Sequence, residues 1–68
     1  MYIRSQNKAI LLIVDTFTID KRAEDFAIST YGYLLGTYKT EERALEVLND
    51  IQEQIILKHN FYIMPKEW

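Results

Sequence analysis

The stretch LLGTYKTEERALEVLNDI, residues 34–51, decides the fold, because it predicts a strand end, a tight connection and the start of the longest helix. Thr40 is a suitable N-cap, since its hydroxyl can accept a hydrogen bond from a free amide of the first turn. Glu41 and Glu42 follow in that turn, where negative charge stabilises the helix dipole. We therefore expect a helix over about residues 41–58, ended by Asn60 in a left-handed conformation.

Apolar residues recur along this helix at three- and four-residue steps, which is typical of a helix with one buried face. The apolar stripe consists of Ala44, Val47, Leu48, Ile51 and Ile55. Acidic and amide side chains occupy the opposite side. Since one helix cannot bury its stripe alone, the other segments must form the surface that it covers.

Those other segments favour short strands, because they alternate or are rich in branched apolar residues. The predicted strands cover residues 2–5, 9–14, 17–20, 26–30, 33–38 and, after the helix, 61–64, where Pro65 ends the chain's last strand. The apolar run 9–14 is expected to be covered on both faces or paired centrally. Tyr31 and Gly32 predict a turn between two strands, and Gly36 within a strand indicates a bulge or a close backbone approach. The fold class is therefore α+β, with a small antiparallel meander of about five strands on one long helix and a short C-terminal strand.

Length and composition describe one domain without covalent crosslinks. The 68 residues leave room for one core, so residues 1–68 are expected to form a single domain. There is no cysteine, which agrees with a reducing cytoplasm, where we expect the protein. The formal net charge of −2 gives no general attraction for phosphate backbones, so nucleic acid is an unfavoured partner. No apolar run reaches the length of a membrane span, and we expect no membrane partner.

Residue types with catalytic chemistry are present, but their spacing does not suit catalysis. The carboxylates fall in predicted turns or on the solvent side of the helix, where nothing separates their pKa values into an acid and a base. His59 lies at the predicted helix end, with no second histidine or cysteine to complete a metal site. Gly32 and Gly36 cannot build a phosphate loop. We therefore expect no catalytic residues, no metal site, no cofactor and no enzymatic activity.

Three tyrosines near the last strand before the helix, Tyr31, Tyr33 and Tyr38, are the feature whose role is most open. Tyrosine suits a half-buried strand position, and it is also enriched at protein interfaces. A third interpretation is stacking of bases on a sheet face. In the interface interpretation these three are the partner-binding residues, with Tyr31 or Tyr33 exposed.

Both ends of the chain and its helix resemble a group of short proteins. MYIRSQ (residues 1–6), LLGTYKTEERALEVL (34–48) and YIMPKE (62–67) are similar to segments of short uncharacterised proteins of phages, prophages and low-GC Gram-positive bacteria. Residues 15–30 match that group only in pattern. The group has no established activity, so the resemblance implies a setting, a bacterial cytoplasm influenced by mobile elements, and no mechanism.

These observations together predict a non-enzymatic binding protein. The expected form is a phage or mobile-element accessory protein that binds and modulates a host protein, for example as an anti-defence inhibitor. The alternative is a nucleotide- or single-stranded nucleic-acid-binding module that uses a tyrosine-bearing sheet face. A small core and open strand edges also favour a homodimer.

Overall fold

The computed structural model describes residues 1–66, and within this range six strands and one helix confirm the predicted α+β class. In chain order the elements are β1 (Tyr2–Arg4), β2 (Leu11–Ile13), β3 (Thr18–Lys21), β4 (Phe26–Thr30), β5 (Tyr33–Tyr38), α1 (Glu41–Ile56) and β6 (Phe61–Ile63). The short strand expected after the helix is therefore present as β6. Glu67, the last residue of the third resemblance motif, lies outside the described residues.

The strands form two three-stranded sheets, whereas the sequence predicted one meander. The first, which we call the terminal sheet, has the order β2-β1-β6, with β1 antiparallel to β2 and parallel to β6. The second, the middle sheet, is the antiparallel set β3-β4-β5. A meander follows from the tendency of consecutive strands to pair. The pairing of the two chain ends is non-local, and no single segment carries a signal for it.

The beginning of α1 is as predicted and its end is not. The amide of Arg43 donates to the hydroxyl of Thr40 at 3.1 Å, which makes Thr40 the N-cap. At the other end the helix stops at Ile56, and Lys58 rather than Asn60 has a positive φ, of 62°. The amides of residues 58 and 59 donate back to carbonyls of the last turn, which is the hydrogen-bond pattern of a Schellman motif.

One core is shared by the helix and both sheets. The predicted stripe is buried at Ala44, Val47 and Ile51, but Ile55 is half exposed, so the stripe loses its cover at the end of α1. The helix packs chiefly against the middle sheet. The remaining buried apolar residues of the core are Ile3, Val14, Ile28, Leu35, Tyr38 and Met64. Because they come from both sheets, neither sheet is a separate folding unit.

The hairpin that joins β4 to β5 has the turn that its sequence suggests. Tyr31 and Gly32 are the two loop residues, with φ values of 48° and 83°, and two positive values in succession are characteristic of a type I′ turn. Further along the pair, one extra residue, Leu35, interrupts the register beside Gly36. The bulge predicted from Gly36 is therefore present.

The surroundings of β2 differ most from the prediction. Only Leu11–Ile13 of the apolar run forms a strand, and it lies at an edge of the terminal sheet. The side chains of Leu11 and Ile13 are 52% and 69% exposed. The expectation that this strand is covered on both faces or paired centrally is therefore wrong. The run is apolar on both sides, but one side faces solvent.

Candidate functional site: the outer face of the terminal sheet

The three tyrosines predicted to contact a partner lie in different environments. Tyr31 and Tyr33 are 68% and 51% exposed at the β4–β5 hairpin, so both are accessible. Tyr38 is completely buried, and its hydroxyl donates to the carbonyl oxygen of Pro65 at 2.8 Å. Its burial removes Tyr38 from any contact surface and places it in the core. Residue type could not separate the three, because tyrosine is common both in half-buried strands and at interfaces.

Tyr31 is exposed but has a partner within the chain. Its hydroxyl donates to the carboxylate of Asp15, which follows β2. This hydrogen bond is the main reason why the pKa of the Asp15 carboxyl lies below its ordinary value. The same bond raises the pKa of the Tyr31 hydroxyl. The contact ties the hairpin of the middle sheet to the edge of the terminal sheet.

Residues from the three resemblance motifs meet where the two sheets join, in a cluster that we call the junction: Gln6, Gly36, Thr37, Tyr38 and Pro65. The side-chain amide of Gln6 donates to the carbonyls of Thr37 and Pro65 at 3.1 and 3.2 Å. The side-chain oxygen of Gln6 accepts from the Thr37 amide at 3.0 Å. Gln6 therefore behaves like a short extra strand beside β5 and also holds the C-terminal segment.

The fit at Gly36 shows how closely the residues of the junction pack. A Cβ at this position would lie 3.1 Å from the Tyr38 hydroxyl oxygen and 3.4 Å from the Cβ of Gln6. Only glycine fits there without displacing one of these neighbours. Since the polar groups of the junction bond one another, its role is to hold the two sheets together.

The terminal sheet covers the core with one face and leaves the other face open. The strand register places six side chains in two rows across the sheet, with Ile13, Tyr2 and Phe61 in one row and Leu11, Arg4 and Ile63 in the other. Because side chains alternate along a strand, all six lie on the side opposite to the buried Ile3. We call this surface the outer face.

The outer face is large for so small a domain. Its five apolar side chains are each between 46% and 69% exposed. A fully exposed side chain of this size presents about 200 Å², so together they leave roughly 500 Å² of apolar surface in water. On a monomer the largest apolar patch is about 300–600 Å² and is often functional.

A single charge lies within this apolar surface. Arg4 occupies the middle of its row, between Leu11 and Ile63. The Nε of Arg4 donates to the Lys8 carbonyl at 2.8 Å, which fixes the guanidinium group. None of the six residues is acidic. The outer face is therefore apolar with a positive centre, in a chain whose formal net charge is −2.

A cleft of about 420 Å³ lies between α1 and β6. In its wall the hydroxyl of Tyr62 donates to the carboxylate of Asp50 at 2.6 Å. Burial, and then this hydrogen bond, raise the pKa of the Tyr62 hydroxyl well above its ordinary value. The hydroxyl is thus a hydrogen-bond donor and a poor nucleophile. Arg43, also in the wall, lies 5.9 Å from the ring centre of Tyr38.

Within residues 1–66 the structure contains neither a cluster of metal ligands nor a helix suited to span a membrane. No three His, Asp or Glu side chains of this range lie close enough together to hold a metal ion. His59 is exposed, and its Nδ1 is hydrogen-bonded to the side chain of Gln54. Within the same range, no helix combines the length and the apolarity that crossing a bilayer requires.

Comparisons with known proteins identify no family for this chain. No family model matches it, and neither a curated protein nor a solved structure is significantly similar to it. Any function must therefore be inferred from the geometry of the outer face.

The sequence did not predict the outer face, because its rows combine residues from both ends of the chain. The sequence shows the alternation within residues 2–4 and 61–63, but it does not show that these two strands pair.

Proposed function

We propose that this protein acts by binding another protein through the outer face, without catalysis. The observation that supports this most is the pair of rows of exposed apolar side chains on three hydrogen-bonded strands. Removing roughly 500 Å² of apolar surface from water contributes on the order of 10 kcal/mol before the costs of association are subtracted. Leaving this surface in water is unfavourable, so a protein that covers it is strongly favoured.

The composition of the outer face suits a protein partner. Tyrosine and arginine are the residues most often found at the energetic centre of interfaces, and here Tyr2 and Arg4 lie on the central strand. Both side chains project from a sheet whose backbone is already ordered, so binding has little backbone entropy left to remove. The complementary partner has an apolar surface with a carboxylate opposite Arg4. Tyr31 and Tyr33 at the hairpin form a second, smaller contact region in this proposal.

The cellular setting in the proposal comes from the resemblance alone. Similarity of residues 1–6, 34–48 and 62–67 to phage and prophage proteins supports an accessory protein that works in a bacterial cytoplasm. Its partner is then a host protein, and inhibition of a defence component is the concrete form of the modulation. A binder that covers a surface inhibits stoichiometrically, so inhibition saturates at one equivalent of binding sites.

The test compares two isoleucines that are both exposed. Ile63→Lys places a charge on the outer face, and Ile56→Lys places the same charge at the end of α1. Each variant and the wild type are immobilised and exposed to lysate of a Gram-positive host, and the retained proteins are quantified by mass spectrometry. The affinity of the retained protein, once purified, is then measured by calorimetry.

Ile63→Lys is expected to weaken binding by about 2 kcal/mol, or about 30-fold in Kd, whereas Ile56→Lys leaves it unchanged. Ile56→Lys should change the free energy of unfolding by less than about 0.5 kcal/mol, because its site is solvent-exposed. Ile63→Lys should lower it by up to about 1 kcal/mol, because it places a second positive charge beside Arg4. Equal binding by the two variants contradicts the proposal.

One observation favours a second candidate, single-stranded nucleic acid. Tyr2 and Phe61 are register partners on the outer face, and Arg4 lies two residues further along β1. Neighbouring sheet aromatics with an arginine can stack successive bases. The three aliphatic members of the face favour a protein instead. Fluorescence anisotropy with short oligonucleotides at physiological ionic strength decides between them: tight binding that Phe61→Ala abolishes replaces the protein proposal.

A further inference from the structure

We propose that two copies of this chain pair along β2, so that their outer faces join into one six-stranded surface. The inference rests on the proposed function, because the joined surface is the one that the protein partner covers. The occupant of the β2 edge is thus a second copy of the chain. Four observations support it: a free strand edge, the state of the other edges, the charges beside β2 and the area of the face.

The first observation is that β2 has unpaired backbone groups facing outward. Val14 donates its amide to the Met1 carbonyl at 2.8 Å, and Ser5 donates to the Ile10 carbonyl at 2.9 Å. In an antiparallel pair, residues that face the neighbour alternate with residues that face away. Leu12 therefore faces β1, and the amide and carbonyl groups of residues 11 and 13 point away from it. No other described strand lies beyond β2.

The second observation is that two other sheet edges are already occupied or protected. Beside β5, Gln6 donates its backbone amide to the Leu35 carbonyl at 2.7 Å and pairs through its side chain with Thr37. The edge strand β3 carries Asp20 and Lys21, and charges of this kind discourage edge-to-edge pairing. The edges that remain apolar are β2 and β6.

The third observation, the charges beside these strands, distinguishes β2 from β6. Antiparallel self-pairing brings the segment before a strand next to the segment after it in the second copy. For β2 these segments contain Lys8 and Asp15, which attract each other. For β6 they contain Lys58 and Lys66, which repel, and Pro65 has no amide to donate. Charge therefore selects β2.

Self-pairing centred on Leu12 also has a regular geometry. Residue 11 of each copy lies opposite residue 13 of the other, so the outward groups form four backbone hydrogen bonds. Leu11 and Ile13 then become cross-strand neighbours on the outer face, where such apolar pairs stabilise a sheet. Stacking the two outer faces on each other is less favourable, because it brings both Arg4 side chains together without a carboxylate. Edge pairing keeps them about 14 Å apart, beyond the Debye length of about 8 Å.

The fourth observation is the area. One outer face offers roughly 500 Å², less than the roughly 800 Å² that each side of a standard interface contributes. Two faces joined along β2 offer nearly twice the area of one, less the part that Leu11 and Ile13 cover on each other, and this brings the joined surface to about the standard size. The contact between the copies is itself small, so the dimer is weak, with a Kd on the order of 10–100 μM.

Sedimentation equilibrium of the wild type, from micromolar to millimolar protein, tests this directly. The expected mass rises from one chain, 8.1 kDa, towards two. Ile13→Pro removes an outward-facing amide that β1 does not use, and it should weaken the dimer at least 10-fold. Ile63→Lys, on the far strand of the same face, should leave the dimer unchanged.

A charge exchange separates an effect on pairing from a folding defect, because the double variant also lacks the hydrogen bond from Tyr31 to residue 15 and should still pair. Lys8→Asp and Asp15→Lys should each weaken the dimer at least 3-fold, and the double variant should restore it. Aspartate is chosen because Lys8 has a φ of 68°, which aspartate tolerates. A wild type that stays monomeric at millimolar concentration, or a dimer that Ile13→Pro does not affect, overturns the inference. A normal dimer in Ile63→Lys together with undiminished partner binding overturns the proposed function instead, so the two failures are distinguishable.

Discussion

The junction and the outer face use similar residues for opposite purposes. In the junction Tyr38 is completely buried, and the side chain of Gln6 makes three hydrogen bonds to the backbone. On the outer face Tyr2 is about half exposed, and the side chain of Arg4 donates a hydrogen bond to the Lys8 carbonyl. A buried group that is already hydrogen-bonded stabilises the fold. Burial of an exposed apolar group contributes free energy only when a partner covers it. Changes in the junction should therefore affect folding, and changes on the outer face should affect binding.

The largest expected effect compares two tyrosines of the same strand. Tyr38→Ala removes a buried ring from the core, and we expect it to lower the free energy of unfolding by about 3–5 kcal/mol. That is comparable with the whole stability of a domain of this size. Tyr33→Ala, at a 51% exposed position, should cost less than about 1 kcal/mol. Urea unfolding followed by circular dichroism measures both. Equal losses would contradict the burial of Tyr38 and the exposure of Tyr33.

A smaller effect is expected at Gln6. Gln6→Ala leaves the amide of Thr37 and the carbonyl of Pro65 with fewer partners, and we expect a loss of about 2–3 kcal/mol. Gln52→Ala is the matched control, since Gln52 is exposed on α1 and its replacement should change stability by less than about 0.5 kcal/mol. If Gln6→Ala unfolds at the same urea concentration as the control, the side chain does not hold the two sheets together.

Gln6 also shows which parts of the fold the sequence could predict. The N-cap at Thr40 and the bulge at Gly36 depend on neighbouring residues, and both were predicted correctly. The amphipathic stripe was predicted correctly as far as Ile51 but not at Ile55. Gln6 lies after a short strand, so its sequence context indicates only a polar turn. Its partners are 31 and 59 residues away, and no local pattern reports contacts at such separations.

The outer face was hidden from the sequence for the same reason. Its rows exist because β6 pairs with β1, and this pairing joins the two ends of the chain. The run at residues 9–14 did carry a signal, its continuous apolar character. That signal is typical of a strand covered on both sides, but an edge strand with an apolar outer side has the same pattern. Of the predicted contact residues, Tyr31 and Tyr33 are exposed, and their role in binding stays a prediction.

The smallest expected effect concerns Tyr31, which is exposed like the outer face but bonded within the chain like the junction. Tyr31→Phe removes the hydrogen bond to Asp15, so the pKa of Asp15 should rise towards its ordinary value of 3.8. In the wild type the pKa of Asp15 is lower in the folded state than in the unfolded state. The bond therefore stabilises the fold above pH 3.8, and this contribution disappears as pH falls through the folded-state pKa. In Tyr31→Phe this acid-dependent contribution should be absent.

Carboxyl chemical shifts of Asp15, followed by NMR during an acid titration, measure this pKa in both proteins. Tyr33→Phe is the control, since it changes a neighbouring tyrosine whose hydroxyl does not contact Asp15 and should leave the titration unchanged. An Asp15 pKa that is the same in Tyr31→Phe as in the wild type would mean that the hydroxyl is free in solution. The Tyr31 hydroxyl would then be available to a partner, as the exposed side chains of the outer face are.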